Sequence, residues 1–166
     1  MQEREKEFLE SYDLYVDELF RFAYFKVSQQ EVAEDIVQDV FIDTWQYLVN
    51  DNKIENIRAF LYRAVRNKII NHYRKKKTGS LDRLFEEGFD ASDEKSGQDA
   101  IYMNVEKNHL LRLLEKVDQK YREPVILRHV EGLDIKEIAE IVEETENNVS
   151  VMIHRGMEQL KKLAHI

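Results

Sequence analysis

The sequence contains no cysteine, and it has only one proline and five glycines among its 166 residues. Without cysteine, the chain cannot hold a disulfide framework, a Cys-ligated zinc ion or a thiol nucleophile. Because proline and glycine are the strongest turn signals, their scarcity predicts an almost entirely helical chain. No run of about 18 apolar residues occurs, so we expect no insertion into a membrane. The charged start, MQEREKEFLE, also lacks the apolar stretch of a secretory signal, which predicts a soluble, cytoplasmic protein.

Patterns typical of enzymes are missing as well. The five histidines do not follow a metal-ligand spacing, and we find neither a glycine-rich phosphate loop nor a nucleophile elbow. Paired carboxylates are frequent, but they fall on the predicted solvent faces of helices. The sequence therefore predicts a protein that is not an enzyme and that needs no cofactor or metal.

The acidic and basic side chains are unevenly distributed. The whole chain has a net charge of −8, although the segment from Arg58 to Lys77 contains eight basic residues and no acidic one. The segment from Glu31 to Asp43 contains five acidic residues and no basic one, and residues 79–107 hold eight acids against three bases. A basic segment of this density is a candidate for binding phosphates. A solvated helix face, or pairing with the acidic helix, would explain it equally well.

Apolar residues at helical spacing predict an all-α chain of two small domains. Three helices are expected at about 5–27, 31–48 and 56–76, and Ser28 should end the first of them. Residues 78–107 read as an acidic linker, because a connection of this length is uncommon inside one compact domain. Further helices are expected over about 105–117, around a first-turn Pro124 up to Gly132, and then to the end of the chain. The predicted domains are therefore residues 1–77 and residues 108–166.

The last two predicted helices follow a helix-turn-helix pattern. Asp134 and Glu137 have the spacing of a capping box, and Thr145 can cap the final helix over about 146–163. A small residue, Ala139, stands where the two helices must cross closely. An ordinary helical hairpin would give the same spacing.

Four runs of the sequence stand out: AEDIVQDVF from Ala33, FLYRAVRN from Phe60, NHYRKKK from Asn71 and YREPVILR from Tyr121. Together they resemble bacterial RNA polymerase sigma factors of the extracytoplasmic-function class, the first three being similar to region 2 of that family and the last to region 4. The resemblance implies that residues 1–77 bind polymerase core and recognise and melt the −10 element, whereas residues 108–166 contact the −35 element. The alternatives are a helix-turn-helix regulator without core binding, and a sigma-like protein whose C-terminal domain mainly binds protein.

The acidic helix contains the predicted polymerase contact. Asp35, Gln38 and Asp39 are spaced three and four residues apart, so they share one face. The resemblance implies that they pair with arginines on the clamp of the largest polymerase subunit, and that Phe41 belongs to the same contact. Alternatively, acids early in a helix only complement its dipole.

The resemblance also assigns the basic helix and the loop before it to the −10 element. The loop, about Val49–Glu55, captures a flipped base in that family, and the helix holds the separated strand. The predicted contacts are Asn50, Asn52, Arg58, Arg63, Arg66, Asn67, Lys68, Asn71, Arg74, Lys75 and Lys76. Unpaired bases also need aromatic surfaces, which Phe60, Tyr62 and Tyr73 could supply, although the spacing of Phe60 favours a core position.

The last helix has fewer cations than the resemblance would lead one to expect. The predicted −35 contacts are Asn147, Asn148, Ser150, Val151, His154 and Arg155. Ser150, Met152 and Met157 stand where the family usually has Lys or Arg, which predicts weak −35 binding because each lost phosphate contact lowers affinity. The apolar side chains could instead pack on a protein. The expected partners are thus the polymerase clamp and flap, promoter DNA and an anti-sigma factor.

Overall fold

A computed structural model describes residues 2–78 and 105–165 of the chain. These residues belong to two compact units, divided between Ser96 and Gly97. Every regular element in the described ranges is helical, as the sequence predicted. Nearly all of the predicted acidic linker lies outside the described residues. None of the described helices is long and apolar enough to cross a membrane.

The described part of the first unit contains three helices, each packed against the other two. They are α1 (Gln2–Val27), α2 (Gln30–Val49) and α3 (Ile57–Thr78). The rings of Phe22 and Tyr62, which are completely buried, meet edge-on with centroids 5.3 Å apart at the contact between α1 and α3. The other completely buried apolar residues here are Leu19, Ala23, Ala33, Val40, Leu61 and Val65. Removing such side chains from water is the main force that holds the three helices together.

Local signals set the ends of these helices. Ser28 follows α1 with a left-handed φ of 58°, which confirms the predicted break, and its N–H donates to the Tyr24 carbonyl at 2.8 Å. Asn56 stands directly before α3, and its side-chain oxygen accepts a hydrogen bond from the Ala59 N–H at 3.1 Å. Such a cap satisfies one of the N–H groups that the first helical turn leaves without a partner.

Residues 105–165 of the second unit form four α-helices and one π-helical turn. The helices are α4 (Val105–Lys116), α5 (Gln119–Val125), α6 (Ile135–Val142) and α7 (Glu146–Leu163), and the π-helical turn is Ile126–Val130. Both hydrogen bonds of the predicted capping box of α6 are present. The Asp134 side chain accepts from the Glu137 N–H, and the Glu137 side chain accepts from the Asp134 N–H. Thr145 caps α7 as predicted, by accepting from the Asn148 N–H at 3.1 Å.

The expected position of Pro124 in a first helical turn is wrong. Helix α5 begins at Gln119 after Asp118, so Pro124 lies near its end. Proline has no N–H to donate to the carbonyl of Lys120, and this carbonyl belongs to an exposed residue. The backbone continues as the π-helical turn, in which the Glu131 N–H reaches the Ile126 carbonyl at 3.0 Å. Gly132, with a φ of 73°, follows this turn, which confirms it as the predicted end of the segment.

Helices α5 and α7 approach so closely at Gly156 that no side chain fits there. A Cβ added to this buried glycine would lie 2.5 Å from Cγ2 of Val125 and 3.1 Å from Cβ of Tyr121. The small residue predicted at a helix crossing is Ala139, and the close approach at Gly156 was not predicted. The tight packing fixes the position of α7 against the rest of the unit.

Candidate polymerase and nucleic-acid interfaces

The structure places Asp35, Gln38 and Asp39 together on the exposed side of α2. Val37 and Val40 lie on the opposite side of the helix and are buried in the three-helix core. Helical geometry produces this division, because residues three and four apart share a face. The result is a solvent-facing acidic surface on a helix whose other side is rigidly packed.

Phe41 does not belong to that surface. Only 4% of it is exposed, and its ring centroid lies 4.9 Å from that of Tyr12 and 6.0 Å from that of Phe8. The predicted direct contact of Phe41 with polymerase is therefore wrong. Phe41 instead packs inside the unit and holds α2 against α1. The exposed side chain that continues the acidic face by one turn is instead Ile42, which is 54% exposed. Ile42 was not among the predicted polymerase contacts.

Arg58 also has an internal position rather than the predicted DNA-facing one. Its Nε donates to Oε1 of Glu18 at 2.8 Å, and its Nη2 donates to Oε2 at 3.3 Å. Both side chains are mostly buried, and the guanidinium also lies near the rings of Tyr15 and Tyr62. A two-pronged ion pair of this kind holds α3 against α1. We therefore leave Arg58 out of the candidate DNA surface.

The exposed side of α3 holds a line of polar and basic residues. Lys68, which is half-buried, pairs with Asp43 of α2 through Nζ and Oδ2 at 2.8 Å, and Arg66 is half-buried as well. The exposed members of the predicted −10 set on this helix are Arg63, Asn67, Asn71, Arg74, Lys75 and Lys76. Helical spacing brings Arg63, Asn67, Asn71 and Arg74 to one face, whereas the consecutive residues Lys75 and Lys76 spread around the last turn.

The three aromatic residues proposed for base stacking differ in their exposure. Tyr62 is completely buried, so its predicted stacking role is wrong. Phe60 is half-buried against Tyr47, with ring centroids 5.2 Å apart, which fits its expected core position. Tyr73 is 43% exposed and donates its hydroxyl hydrogen to the carbonyl of Lys26, and partial burial raises the pKa of Tyr73. Partial burial, followed by the charge of Lys76, lowers the pKa of the neighbouring His72, which disfavours an additional positive charge there.

The loop between α2 and α3 folds back on the end of α2. The Asn50 N–H donates to the Gln46 carbonyl at 3.1 Å, and Nδ2 of Asn52 donates to the Tyr47 carbonyl at 3.1 Å. Asp51 has a left-handed φ of 64°, and its carboxylate oxygen Oδ1 accepts a hydrogen bond from Nη1 of Arg4 at 2.6 Å. All three loop residues are exposed. The loop is therefore an ordered turn that presents polar groups to solvent.

The exposed side of α7 combines amides, a hydroxyl and an apolar side chain with nearby acids. Nδ2 of Asn148 donates to Glu144 at 3.1 Å, and Nε2 of His154 lies 3.1 Å from Oε1 of Glu158. Nη1 of Arg155 lies 3.5 Å from the hydroxyl of Tyr121, and this contact is the main reason why the pKa of Tyr121 is lowered. The other predicted −35 contacts, Asn147, Ser150 and Val151, are exposed.

Comparison with known proteins explains the combination of these surfaces. Residues 12–78 match the family model for sigma-70 region 2, and residues 107–160 match the model for sigma-70, region 4. The chain is 27% identical over 163 residues to the extracytoplasmic-function sigma factor SigW of Bacillus subtilis, with 93% of this chain and 87% of SigW covered. It belongs to the extracytoplasmic-function class of RNA polymerase sigma factors. The predicted resemblance is confirmed, and this sigma factor serves to direct RNA polymerase to promoters.

Two further proteins are similar to this sigma factor over most of its length. The sigma factor BldN of Streptomyces coelicolor is 26% identical over 159 residues, which cover 92% of this chain and 58% of the longer BldN. A crystal structure of the sigma factor RpoE of Bartonella quintana, in complex with the anti-sigma factor NepR, has the same fold. It superposes with a TM-score of 0.74 at 22% identity, covering 97% of this chain and 98% of RpoE. The sigma family is not a family of catalytic enzymes, and the described residues contain no group of three or more acidic or histidine side chains suited to a metal ion.

Proposed function

We propose that this sigma factor docks on polymerase core through Asp35, Gln38 and Asp39 of α2. The helix dipole explains acids in the first turn, such as Glu31, but Gln38 and Asp39 lie two turns further along. The observation that supports docking is the exposure of these side chains on a helix whose other side is fixed in the core. An arginine-bearing helix, such as the clamp of the largest polymerase subunit, offers the complementary charge.

Replacing Asp35 and Gln38 together by alanine tests this docking surface. We expect the double variant to lose association with purified core polymerase, because it removes a carboxylate and an amide from the middle of the contact. The matched control replaces Gln30 and Glu31 of the same helix, which are also exposed and lie in its first turn. Co-purification with core measures association, and circular dichroism checks that both variants fold. Undiminished co-purification of the Asp35 and Gln38 variant would contradict the proposal.

The exposed line on α3 and the loop before it form the proposed −10 surface. Arg63, Arg74, Lys75 and Lys76 supply positive charge for phosphates, while Asn67 and Asn71 lie on the same face of the helix as Arg63 and Arg74. Asn50 and Asn52 stand on the loop at the other end of this surface, where amides can read a base edge. Among Phe60, Tyr62 and Tyr73, only the ring of Tyr73 is exposed, so Tyr73 is the proposed stacking surface for separated bases.

The exposed side of α7 is the proposed −35 contact, through Asn147, Asn148, Ser150, Val151, His154 and Arg155. A second function is favoured by the acids beside it, since Glu144 and Glu158 engage Asn148 and His154. A surface of this composition suits contact with a protein, which would be the polymerase flap or an anti-sigma factor.

Replacing Arg155 by alanine distinguishes DNA contact from protein contact. If Arg155 meets a phosphate, promoter binding by the reconstituted holoenzyme weakens and the slope of log affinity against log salt falls by about 1. Lys161→Ala, in the exposed last turn of α7, is the control. Equal affinities and equal slopes for the two variants would contradict a phosphate contact by Arg155 and would favour the protein-binding function.

We also propose an anti-sigma partner and a cytoplasmic location. The similar fold of Bartonella quintana RpoE was solved with its anti-sigma factor, and RNA polymerase is the working partner of the family. A pull-down with this sigma factor as bait, followed by competition with purified core polymerase, tests whether the bound protein excludes the polymerase.

A further inference from the structure

Arg4, in the first turn of α1, reaches the loop that we assign to base recognition. Its Nη1 donates to Oδ1 of Asp51 at 2.6 Å and to the carbonyl oxygen of Leu48 at 3.2 Å. One guanidinium thus connects the last turn of α2 with the residue at the tip of the loop. No local pattern in the sequence indicates a role for Arg4, because the contact with Asp51 spans 47 positions of the chain.

The end of α2 needs a cation from elsewhere. The carbonyl groups in the last turn of a helix have no partners within that helix, and they carry a partial negative charge. Helix α2 has no basic residue in its own last turn. Arg4 supplies the positive charge from α1, and the Leu48 carbonyl accepts its N–H together with the Asp51 N–H at 3.3 Å.

The Asp51 backbone makes the loop sensitive to this contact. A residue other than glycine with a positive φ costs roughly 1 kcal/mol or more, so surrounding contacts must favour it. The φ of Asp51 is 64°, and this conformation sets the direction of the chain from Asn50 to Asn52. The ion pair with Arg4 holds the Asp51 side chain, while the Nδ2 bond of Asn52 to Tyr47 holds the next residue.

We propose that Arg4 is a positioning residue for −10 base selection. It does not read DNA itself; it fixes the loop conformation in which Asn50 and Asn52 present their amides. This inference rests on the proposed function of the loop. Because Asp51 is 84% exposed, the ion pair is weak, and its removal should loosen the loop without unfolding the unit.

The test uses holoenzyme reconstituted from the full chain and purified core, with a promoter library randomised across the −10 element. Open complexes are selected and sequenced for the wild type and for Arg4→Gln, Arg4→Lys, Asn50→Ala, Asn52→Ala and Asp51→Ala. The control is Lys6→Gln, since Lys6 lies on the same helix and only approaches the exposed Glu10, at 4.0 Å. Core association is measured for each variant.

We expect loss of a loop amide to relax the preference at one −10 base by about tenfold, the usual cost of a mismatched base pair. Arg4→Gln should relax the same base by about threefold, in keeping with an exposed ion pair. Arg4→Lys should restore most of the preference, and Lys6→Gln should leave it unchanged. Combining Arg4→Gln with Asp51→Ala should relax the preference by less than the product of the two separate effects, because both changes remove the ion pair.

Other outcomes would overturn the inference in distinguishable ways. If the Asn variants change base preference and Arg4→Gln does not, the loop reads DNA and Arg4 does not position it. If Arg4→Gln weakens all sequences equally and lowers the salt slope by about 1, Arg4 is a phosphate contact instead. If Arg4→Gln instead abolishes association with core polymerase, Arg4 serves only to keep the unit folded. If neither Asn variant changes the preference, the loop assignment fails, and the inference fails with it.

Discussion

Gly156 shows how a single missing side chain determines the placement of the last helix. The position has room for hydrogen alone, because Val125 and Tyr121 of α5 lie directly against it. Both of these neighbours are buried, so neither can move aside into solvent. The surface of α7 that we assign to the −35 element is therefore positioned by contacts on its opposite side.

Replacing Gly156 by alanine should lower the free energy of unfolding of the second unit by about 1 to 2 kcal/mol. Overpacking typically costs about 1 to 3 kcal/mol, and the higher helix propensity of alanine offsets part of this loss. Urea unfolding followed by circular dichroism measures the change. Ser150→Ala is the control, because Ser150 is exposed on the same helix. This replacement should raise the free energy of unfolding slightly. An unfolding midpoint for Gly156→Ala at or above the wild-type value would contradict the close approach.

Arg58 illustrates which part of a site the sequence cannot reveal. Arg58 and Arg63 occur in the same basic run, and nothing in the local pattern separates them. The packing of α3 against α1 brings Glu18 to Arg58, a pairing across 40 positions of the chain. Composition therefore identified the basic segment as a candidate, but the three-dimensional contact was needed to remove one of its members.

At the scale of the helices, the capping box of α6 was readable from sequence and is present in the structure. Asp134 and Glu137 each satisfy a backbone N–H at the start of the helix. With only eight residues, α6 depends strongly on such end contacts. Its buried residues, Ile138 and Ile141, are three positions apart and therefore share its inner face.

Asp134→Ala should cost about 1 to 2 kcal/mol of unfolding free energy in the second unit, the usual value for losing a cap. Lys136→Ala, at an exposed position of the same helix, should change the unfolding free energy by no more than about 0.5 kcal/mol. Urea titrations of the full chain measure both changes in unfolding free energy. Equal stabilities of the two variants would show that the box contributes nothing measurable.

Helices were predictable where a local pattern specifies them. The apolar spacing gave α1, α2, α3 and α7 to within a few residues, because each buries one side and exposes the other. The π-helical turn Ile126–Val130 was not predictable. It depends on how the backbone continues past Pro124 toward Gly132, and no side-chain periodicity records that path.

At the scale of the whole molecule, net charge is a poor guide to partners. A value of −8 taken alone argues against nucleic-acid binding, yet eight basic residues lie between Arg58 and Lys77 without one acid. The acidic surface of α2 and the basic surface of α3 belong to the same three-helix unit. A polymerase subunit that also meets DNA requires this division, because the two partners carry opposite charges at their contacts.

The most direct test of the central claim, that this chain directs polymerase to promoters through α2 and α3, is run-off transcription with purified core. Genomic fragments serve as templates, and the start sites are mapped with and without the chain. We expect discrete start sites that require the chain and that disappear when Asp35 and Gln38 are both replaced by alanine. Transcripts identical to those of core alone, or start sites unaffected by the double replacement, would contradict it.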